Sequence, residues 1–216
     1  MNDEIKRAIE FIDDKEKFKI YKTNDFSSNS LKNILATEKD RIKNKKVDML
    51  LYKLNRFYKD FAEGYIIDDK KISNEYEFVN NNGWHCVYIS LILKGLVKKY
   101  FKIKLNYYQG IYLFENNDRA AWIFGENAIG FHAWCMYKDS ILDLTFLNQQ
   151  NLFLKTSCSD EYLNGKLPKG VIFMGQKESE EIIERYLKNI LAINQFTYDE
   201  WLNNIENYIN KYKKAT

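Results

Sequence analysis

Proline and glycine are scarce in this sequence. The chain has 216 residues but only 1 proline and 9 glycines, and no stretch has the Gly-, Ser- or Pro-rich composition of a flexible linker. Domains joined by a flexible tether are therefore excluded. We predict that residues 1–216 form a single domain, a length that can bury a sizeable core.

Long apolar runs are also absent. No run approaches the roughly 18 apolar residues that indicate a transmembrane helix. Residues 1–15 lack the basic-then-apolar layout of a signal peptide. We therefore expect no membrane contact and a cytoplasmic protein, with export that needs no cleaved signal as the alternative.

Cysteine and histidine are few, and neither charge dominates. The three cysteines do not make a disulfide framework, and their spacing relative to the two histidines is wrong for zinc. The 33 basic and 30 acidic residues leave a net charge of +3, which is too balanced to favour a nucleic-acid partner. We expect no metal, no organic cofactor and no nucleic acid, and we interpret the lysines at 43–46 as a solvated helix face.

The hydrophobic period changes along the chain. Apolar residues have helical spacing towards both ends and strand-like alternation in the middle. Helices are predicted over 3–22, 31–37, 39–63, 86–101, 178–193 and 197–212, and strands over 104–114, 120–124, 131–137, 141–146 and 171–174. Residues 65–82 are predicted to be irregular, and Gly110 to carry a bulge. The predicted class is α+β: a helical part over 1–75, a core over 76–176 with an antiparallel sheet packed on a central helix, and C-terminal helices over 177–216.

The central helix begins at a cysteine. Apolar residues from Val87 to Val97 cover most of a helix surface, which predicts a buried helix, and Gly83 interrupts the chain just before it. Cys86 would lie in the first turn, where unpaired backbone N–H groups and the positive end of the helix dipole favour a thiolate. We predict Cys86 as a nucleophile, with a buried structural cysteine as the alternative. His85 is about 100° from Cys86 around the helix and is poorly placed as its base.

A histidine and an aspartate on neighbouring strands complete a candidate triad. The turn at 138–140 would pair the strand that begins near His132 with the strand that carries Asp143, within one residue pair of each other. Asp143 could then accept a hydrogen bond from one ring nitrogen of His132, leaving the other nitrogen to take the Cys86 proton. A strand histidine with an ordinary core hydrogen bond is the alternative for His132.

Two short motifs resemble those of the transglutaminase-like superfamily, which has a papain-like fold. The resemblance covers about residues 80–147, where a cysteine at the start of a buried helix is followed by two strand motifs, His132-Ala133-Trp134 and Asp143-Leu144-Thr145. It implies a papain-like core that carries Cys86, His132 and Asp143 as a catalytic triad, with additional N- and C-terminal helices.

Candidate groups for an oxyanion hole or a substrate site lie near the triad in the sequence. The backbone N–H of Cys86 is one donor, and the candidate side-chain donors are Asn82, Trp84 and Gln109. Trp84 and Trp134 are candidates for the walls of a cleft, with ordinary core packing as the alternative.

The sequence therefore predicts a cysteine enzyme that forms a thioester on Cys86. It would be a hydrolase (amidase, peptidase or deamidase) or an acyltransferase of the transglutaminase type. The expected substrates are proteins, peptides or small acyl or amide compounds, and the oligomeric state stays open. A second hypothesis is a non-catalytic binding or scaffold protein on the same fold, in which the triad is structural and the helical ends serve a partner. Thiol reactivity separates the two hypotheses.

Overall fold

Helices and strands both contribute to the fold. The computed structural model describes residues 19–23, 41–65, 69–114, 123–124, 128–129, 132–138, 140–145 and 171–211. In chain order the elements in these ranges are β1 (Lys19–Thr23), α1 (Arg41–Ala62), α2 (Lys70–Asn82), α3 (His85–Phe101), β2 (Asn106–Phe114), β3 (Ile123–Phe124), β4 (Ala128–Ile129), β5 (His132–Tyr137), β6 (Ser140–Leu142), β7 (Val171–Lys177), α4 (Glu180–Asn194) and α5 (Tyr198–Ile209). None of the described helices has the length and apolar character needed to cross a bilayer.

The main sheet has five strands and is antiparallel throughout. Its order is β1-β7-β2-β5-β6, so β2 lies in the middle, with β7 on one side and β5 on the other. β3 and β4 form a separate two-stranded pair. The predicted α+β class is confirmed.

α3 is the central helix. It contacts β2 and β5 of the sheet and also α1, α2, α4 and α5, which explains why most of its surface is apolar. Two hydrogen bonds fix its position over β5. The Ser90 hydroxyl donates to the Ala133 carbonyl at 3.2 Å, and the Cys135 thiol donates to the Ser90 carbonyl at 3.2 Å.

Two helix ends are fixed by local interactions. Gly64 follows the end of α1 with φ +74°, a conformation that glycine adopts without steric cost. α5 begins with a capping box, in which the Glu200 carboxylate accepts from the Thr197 N–H at 2.8 Å and the Thr197 hydroxyl accepts from the Glu200 N–H at 3.3 Å. These local interactions place both helix ends where the sequence predicts them.

The expectation that residues 65–82 are irregular is wrong, because residues 70–82 form α2. The Asp69 side chain caps this helix by accepting hydrogen bonds from the backbone N–H groups of Lys71 at 3.1 Å and Ile72 at 3.3 Å. The helix continues through the asparagine-rich segment and ends at Gly83, which has φ +65°.

The predicted helix over 3–22 is wrong in its last part, because residues 19–22 belong to β1. Ile20 pairs with Met174 of β7, so a tertiary partner converts this segment into an edge strand. The predicted elements at 3–18, 31–37 and 120–122 lie outside the described residues.

β2 runs through Gly110 without the predicted bulge. Gly110 pairs with His132 on one side and with Gly175 on the other. A Cβ atom at Gly110 would lie 2.0 Å from the Met174 carbonyl oxygen, so glycine is required because the β7 backbone approaches closely.

A buried carboxylate joins the helices around α3. Glu75 of α2 is 0% exposed and accepts hydrogen bonds from the Tyr88 hydroxyl of α3, from Trp201 Nε1 of α5 at 3.0 Å and from Asn194 Nδ2 of α4 at 3.0 Å. Burial raises the pKa of Glu75 to about 7, although the three donors act in the opposite direction. Four helices therefore share one ionisable group.

We predict that ionisation of Glu75 destabilises the fold. Folding raises the pKa of Glu75 from 4.5 to about 7, so the folded protein favours the protonated side chain. The stabilisation from this preference is fully present below pH 4.5 and is lost as the pH rises through about 7. The shift corresponds to about 3 kcal/mol in the free energy of unfolding. Relative to wild type, Glu75→Gln should therefore gain about 3 kcal/mol between these two pH values in urea unfolding.

The control for this prediction is Glu77→Gln, at an exposed position of the same helix. Its stability difference from wild type should stay constant over the same pH range. A pH-independent difference between Glu75→Gln and wild type would show that Glu75 does not titrate there.

Candidate functional site

Cys86 lies in the first turn of α3, as predicted, and its residue surface is 5% exposed. No side chain caps this helix N-terminus. The Ser90 hydroxyl donates to the Ala133 carbonyl, and Lys94, one helical turn later, is close enough to Cys135 to lower the pKa of its thiol. Because both sequence positions increase together, α3 and β5 run in the same direction. Cys86 is one helical turn before Ser90 and therefore lies at the beginning of β5.

His132 is the first residue of β5, and its ring pairs with Asp143. The distance from His132 Nε2 to Asp143 Oδ2 is 2.5 Å, and both residues are buried. β6 ends at Leu142, so Asp143 leads a short turn instead of continuing the predicted strand over 141–146. In that turn Asp143 Oδ1 accepts hydrogen bonds from the Thr145 N–H at 2.9 Å and the Thr145 hydroxyl at 2.8 Å. Thr145 thus holds the carboxylate so that its second oxygen faces His132.

The electrostatics of His132 connect this pair to the cysteine. Burial alone lowers the pKa of His132, but the charge and hydrogen bond of Asp143 and, to a smaller extent, the nearby Cys86 side chain outweigh burial and raise the pKa to about 10. A charged carboxylate only accepts hydrogen bonds, so His132 Nε2 carries the proton shared with Asp143. The structure therefore pairs His132 with Asp143, and the influence of Cys86 on the pKa of His132 places the thiol near the ring.

No protein-family model, curated protein or solved structure matches this chain. The chemistry of the site therefore follows from its own residues. Among the residues that the structure describes, no group of three or more His, Cys, Asp or Glu side chains could hold a metal ion.

Trp134 packs against the histidine of the triad. Its ring stacks on the His132 ring with centroids 6.0 Å apart, and it meets Phe173 of β7 edge-on at 5.1 Å. Trp134 is 0% exposed, so it fixes the orientation of His132 from within the core and does not line an open surface.

Gln109 and Trp84 both contact Tyr186 of α4. Gln109 Nε2 donates to the Tyr107 hydroxyl at 3.0 Å and to the Tyr186 hydroxyl at 3.0 Å. Trp84 packs edge-on against Tyr186, with ring centroids 5.0 Å apart. Both N–H groups of the Gln109 amide are therefore used within the protein, which leaves none to donate to a substrate.

Asn82 and His85 take structural positions in the described part of the chain. Asn82 is exposed, and its Nδ2 donates to the Phe78 carbonyl at 2.7 Å, within α2. His85 packs edge-on against Phe61 of α1, with ring centroids 5.7 Å apart, and burial lowers its pKa. These contacts give His85 a packing role, in agreement with its predicted poor placement as the base of Cys86.

Tyr107 and Tyr186 are the residues near the site that sequence reasoning missed. Tyr107 is two positions before Gln109 on β2 and therefore shares its face of the sheet, a signal that strand periodicity contains. Tyr186 joins them from a helix far along the chain, and no local pattern indicates this contact.

Proposed function

We propose that this chain is a cysteine enzyme that transfers acyl groups through a thioester on Cys86. The observation that carries the proposal is the buried His132–Asp143 pair beside a cysteine in the first turn of a helix. A central cysteine-bearing helix packed on an antiparallel sheet is also the arrangement of the transglutaminase-like superfamily, so the fold class is compatible with that resemblance.

In the proposed resting state the proton of the Cys86 thiol already lies on His132 Nδ1, the nitrogen that Asp143 does not occupy, in line with the raised pKa of His132. The sulfur then attacks the carbonyl carbon of an amide, and the carbonyl π electrons move to the oxygen. When the tetrahedral intermediate collapses, the C–N bond breaks and His132 gives its proton to the leaving amine. Asp143 keeps the ring oriented and stabilises its charged form.

The resulting thioester reacts with a second nucleophile. Water gives a carboxylic acid, which is amidase, peptidase or deamidase chemistry, and an amine gives a new amide, which is transglutaminase chemistry. In both cases His132 takes a proton from the nucleophile and returns one to the Cys86 sulfur. The proposed substrate is a protein, a peptide or a small amide.

The test is the rate at which iodoacetamide alkylates each cysteine of the native protein between about pH 5 and pH 9. We expect Cys86 to react below pH 7 faster than a free cysteine, because the proposed mechanism places the thiol proton on His132. His132→Ala should slow this reaction at least about tenfold. Mass mapping of the labelled peptides gives the rate for each site.

Cys135 is an internal control in the same sample. It is 0% exposed, and burial raises the pKa of its thiol to about 12, so it should stay unlabelled until the protein unfolds. If Cys86 reacts no faster than Cys135, or is indifferent to the His132 substitution, the non-catalytic binding role is favoured.

A further inference from the structure

The Tyr107 hydroxyl is a buried donor with no acceptor in the described part of the chain. Tyr107 is 0% exposed, and among the described residues its hydroxyl has one hydrogen-bond partner, Gln109 Nε2, at 3.0 Å. An amide nitrogen can only donate, so the hydroxyl oxygen accepts in this bond and its proton remains to be donated. A buried donor of this kind is costly unless a ligand supplies the acceptor.

Tyr107 lies beside the proposed nucleophile. Tyr107 and Gln109 share the face of β2 that packs on α3, and Gln109 pairs with Ala133, the neighbour of His132. Burial raises the pKa of Tyr107 well above its usual value, and the next largest cause is the charge of Cys86, which places the two side chains within electrostatic reach. Trp84, two residues before Cys86, packs on Tyr186, which accepts a hydrogen bond from Gln109, so the Tyr107–Gln109 pair is linked to the start of α3 where Cys86 lies.

Gln109 holds the hydroxyl in position. Its two amide hydrogens are shared between Tyr107 and Tyr186, whose ring centroids are 6.4 Å apart. Trp84, the residue before α3, packs against Tyr186 and so joins this cluster to the start of α3. The cluster is thus anchored on β2, α4 and the residue just before α3.

We propose that the Tyr107 hydroxyl donates a hydrogen bond to the carbonyl oxygen of the substrate as that oxygen becomes an oxyanion, together with the backbone N–H of Cys86. Gln109 acts as a positioning residue that orients Tyr107. The inference rests on the proposed acyl transfer. It assigns the oxyanion donor to Tyr107, which sequence reasoning did not consider, instead of to Gln109, Trp84 or Asn82.

Two reagents that attack the same sulfur test this inference. Iodoacetamide alkylates a thiolate by direct displacement and forms no oxyanion, whereas p-nitrophenyl acetate acylates it through a tetrahedral oxyanion. Tyr107→Phe should lower the acylation rate of Cys86 about 100-fold, measured as the burst of p-nitrophenolate, and leave the alkylation rate within about twofold. Gln109→Leu should lower acylation about tenfold with the same unchanged alkylation, and it provides a second variant if Tyr107→Phe does not fold.

Tyr108→Phe is the matched control. Tyr108 is adjacent in sequence but lies on the opposite face of β2, where its ring stacks with Trp134 at 6.1 Å, and both rates should stay within about twofold of wild type. Equal loss of acylation and alkylation in Tyr107→Phe would overturn the inference, as would no loss of acylation. Failure of wild-type Cys86 to acylate, with alkylation still dependent on His132, would overturn it too. Alkylation that is independent of His132 would instead overturn the proposed function, so the two failures are distinguishable.

Discussion

Asp143→Asn is expected to lower the free energy of unfolding by about 3 kcal/mol at neutral pH, because it removes one charge of a buried pair and leaves His132 buried. It should also reverse the pH dependence that His132 contributes. In the wild type the pKa of His132 rises from 6.5 to about 10 on folding, so its stabilisation is full below pH 6.5 and is lost as the pH rises through about 10.

In the variant burial, which is the largest influence on His132 and lowers its pKa, is opposed only by the nearby Cys86 side chain. The folded state then resists protonation, so the variant should become less stable as the pH falls through 6.5, the ordinary value for histidine. Urea unfolding of both proteins between about pH 5 and pH 10 measures the two slopes.

Thr145→Val is the control for this experiment. It removes the hydroxyl that donates to Asp143 Oδ1 but keeps the charged pair, so we expect a loss of about 1 kcal/mol with the wild-type slope retained. If Asp143→Asn has the same slope as wild type, the pair is not ionised in the folded protein.

Gly110→Ala is expected to cost more than about 4 kcal/mol or to prevent folding. The new Cβ would lie 2.0 Å from the Met174 carbonyl oxygen and 2.5 Å from the Gly175 Cα, both backbone atoms of β7 that cannot move aside without separating two strands. Because Gly110 also pairs with His132, the same displacement should slow the reaction of Cys86 in whatever folded fraction remains. Thermal unfolding and iodoacetamide labelling measure the two effects.

Gly83→Ala provides the comparison. Gly83 has φ +65° and no atom within 4 Å of a Cβ built on it, so an alanine there meets backbone strain but no clash. We expect a cost of about 1–2 kcal/mol and unchanged labelling of Cys86. Equal costs at the two glycines would show that close approach of β7 is not what requires Gly110.

The pairing of His132 with Asp143 and the buried helix that carries Cys86 could each be predicted from local sequence. A short turn sets the register between His132 and the strand before Asp143, and the apolar run after Cys86 indicates a buried helix from composition alone. Both relations depend on residues that are near each other in the sequence, so strand and helix periodicity suffices to derive them.

The parts that could not be predicted depend on distant partners or on a polar residue in an apolar position. α2 has a short buried stripe of Ile72, Glu75 and Val79, and a carboxylate in that stripe breaks the apolar pattern. Glu75 is buried because three donors reach it from other helices. β1 is a strand because β7 pairs with it, and that partner begins only at Val171, far along the chain.

The order of strands in the sheet has a consequence for synthesis of the protein. β2, β5 and β6 leave the ribosome together, but β7, which lies between β1 and β2, follows much later in the chain. Until residues 171–177 emerge, β2 has an open edge and β1 has no strand to pair with in the main sheet. Until β7 emerges, the nascent chain therefore exposes an unpaired edge of the central strand of its sheet, which is a surface prone to aggregation.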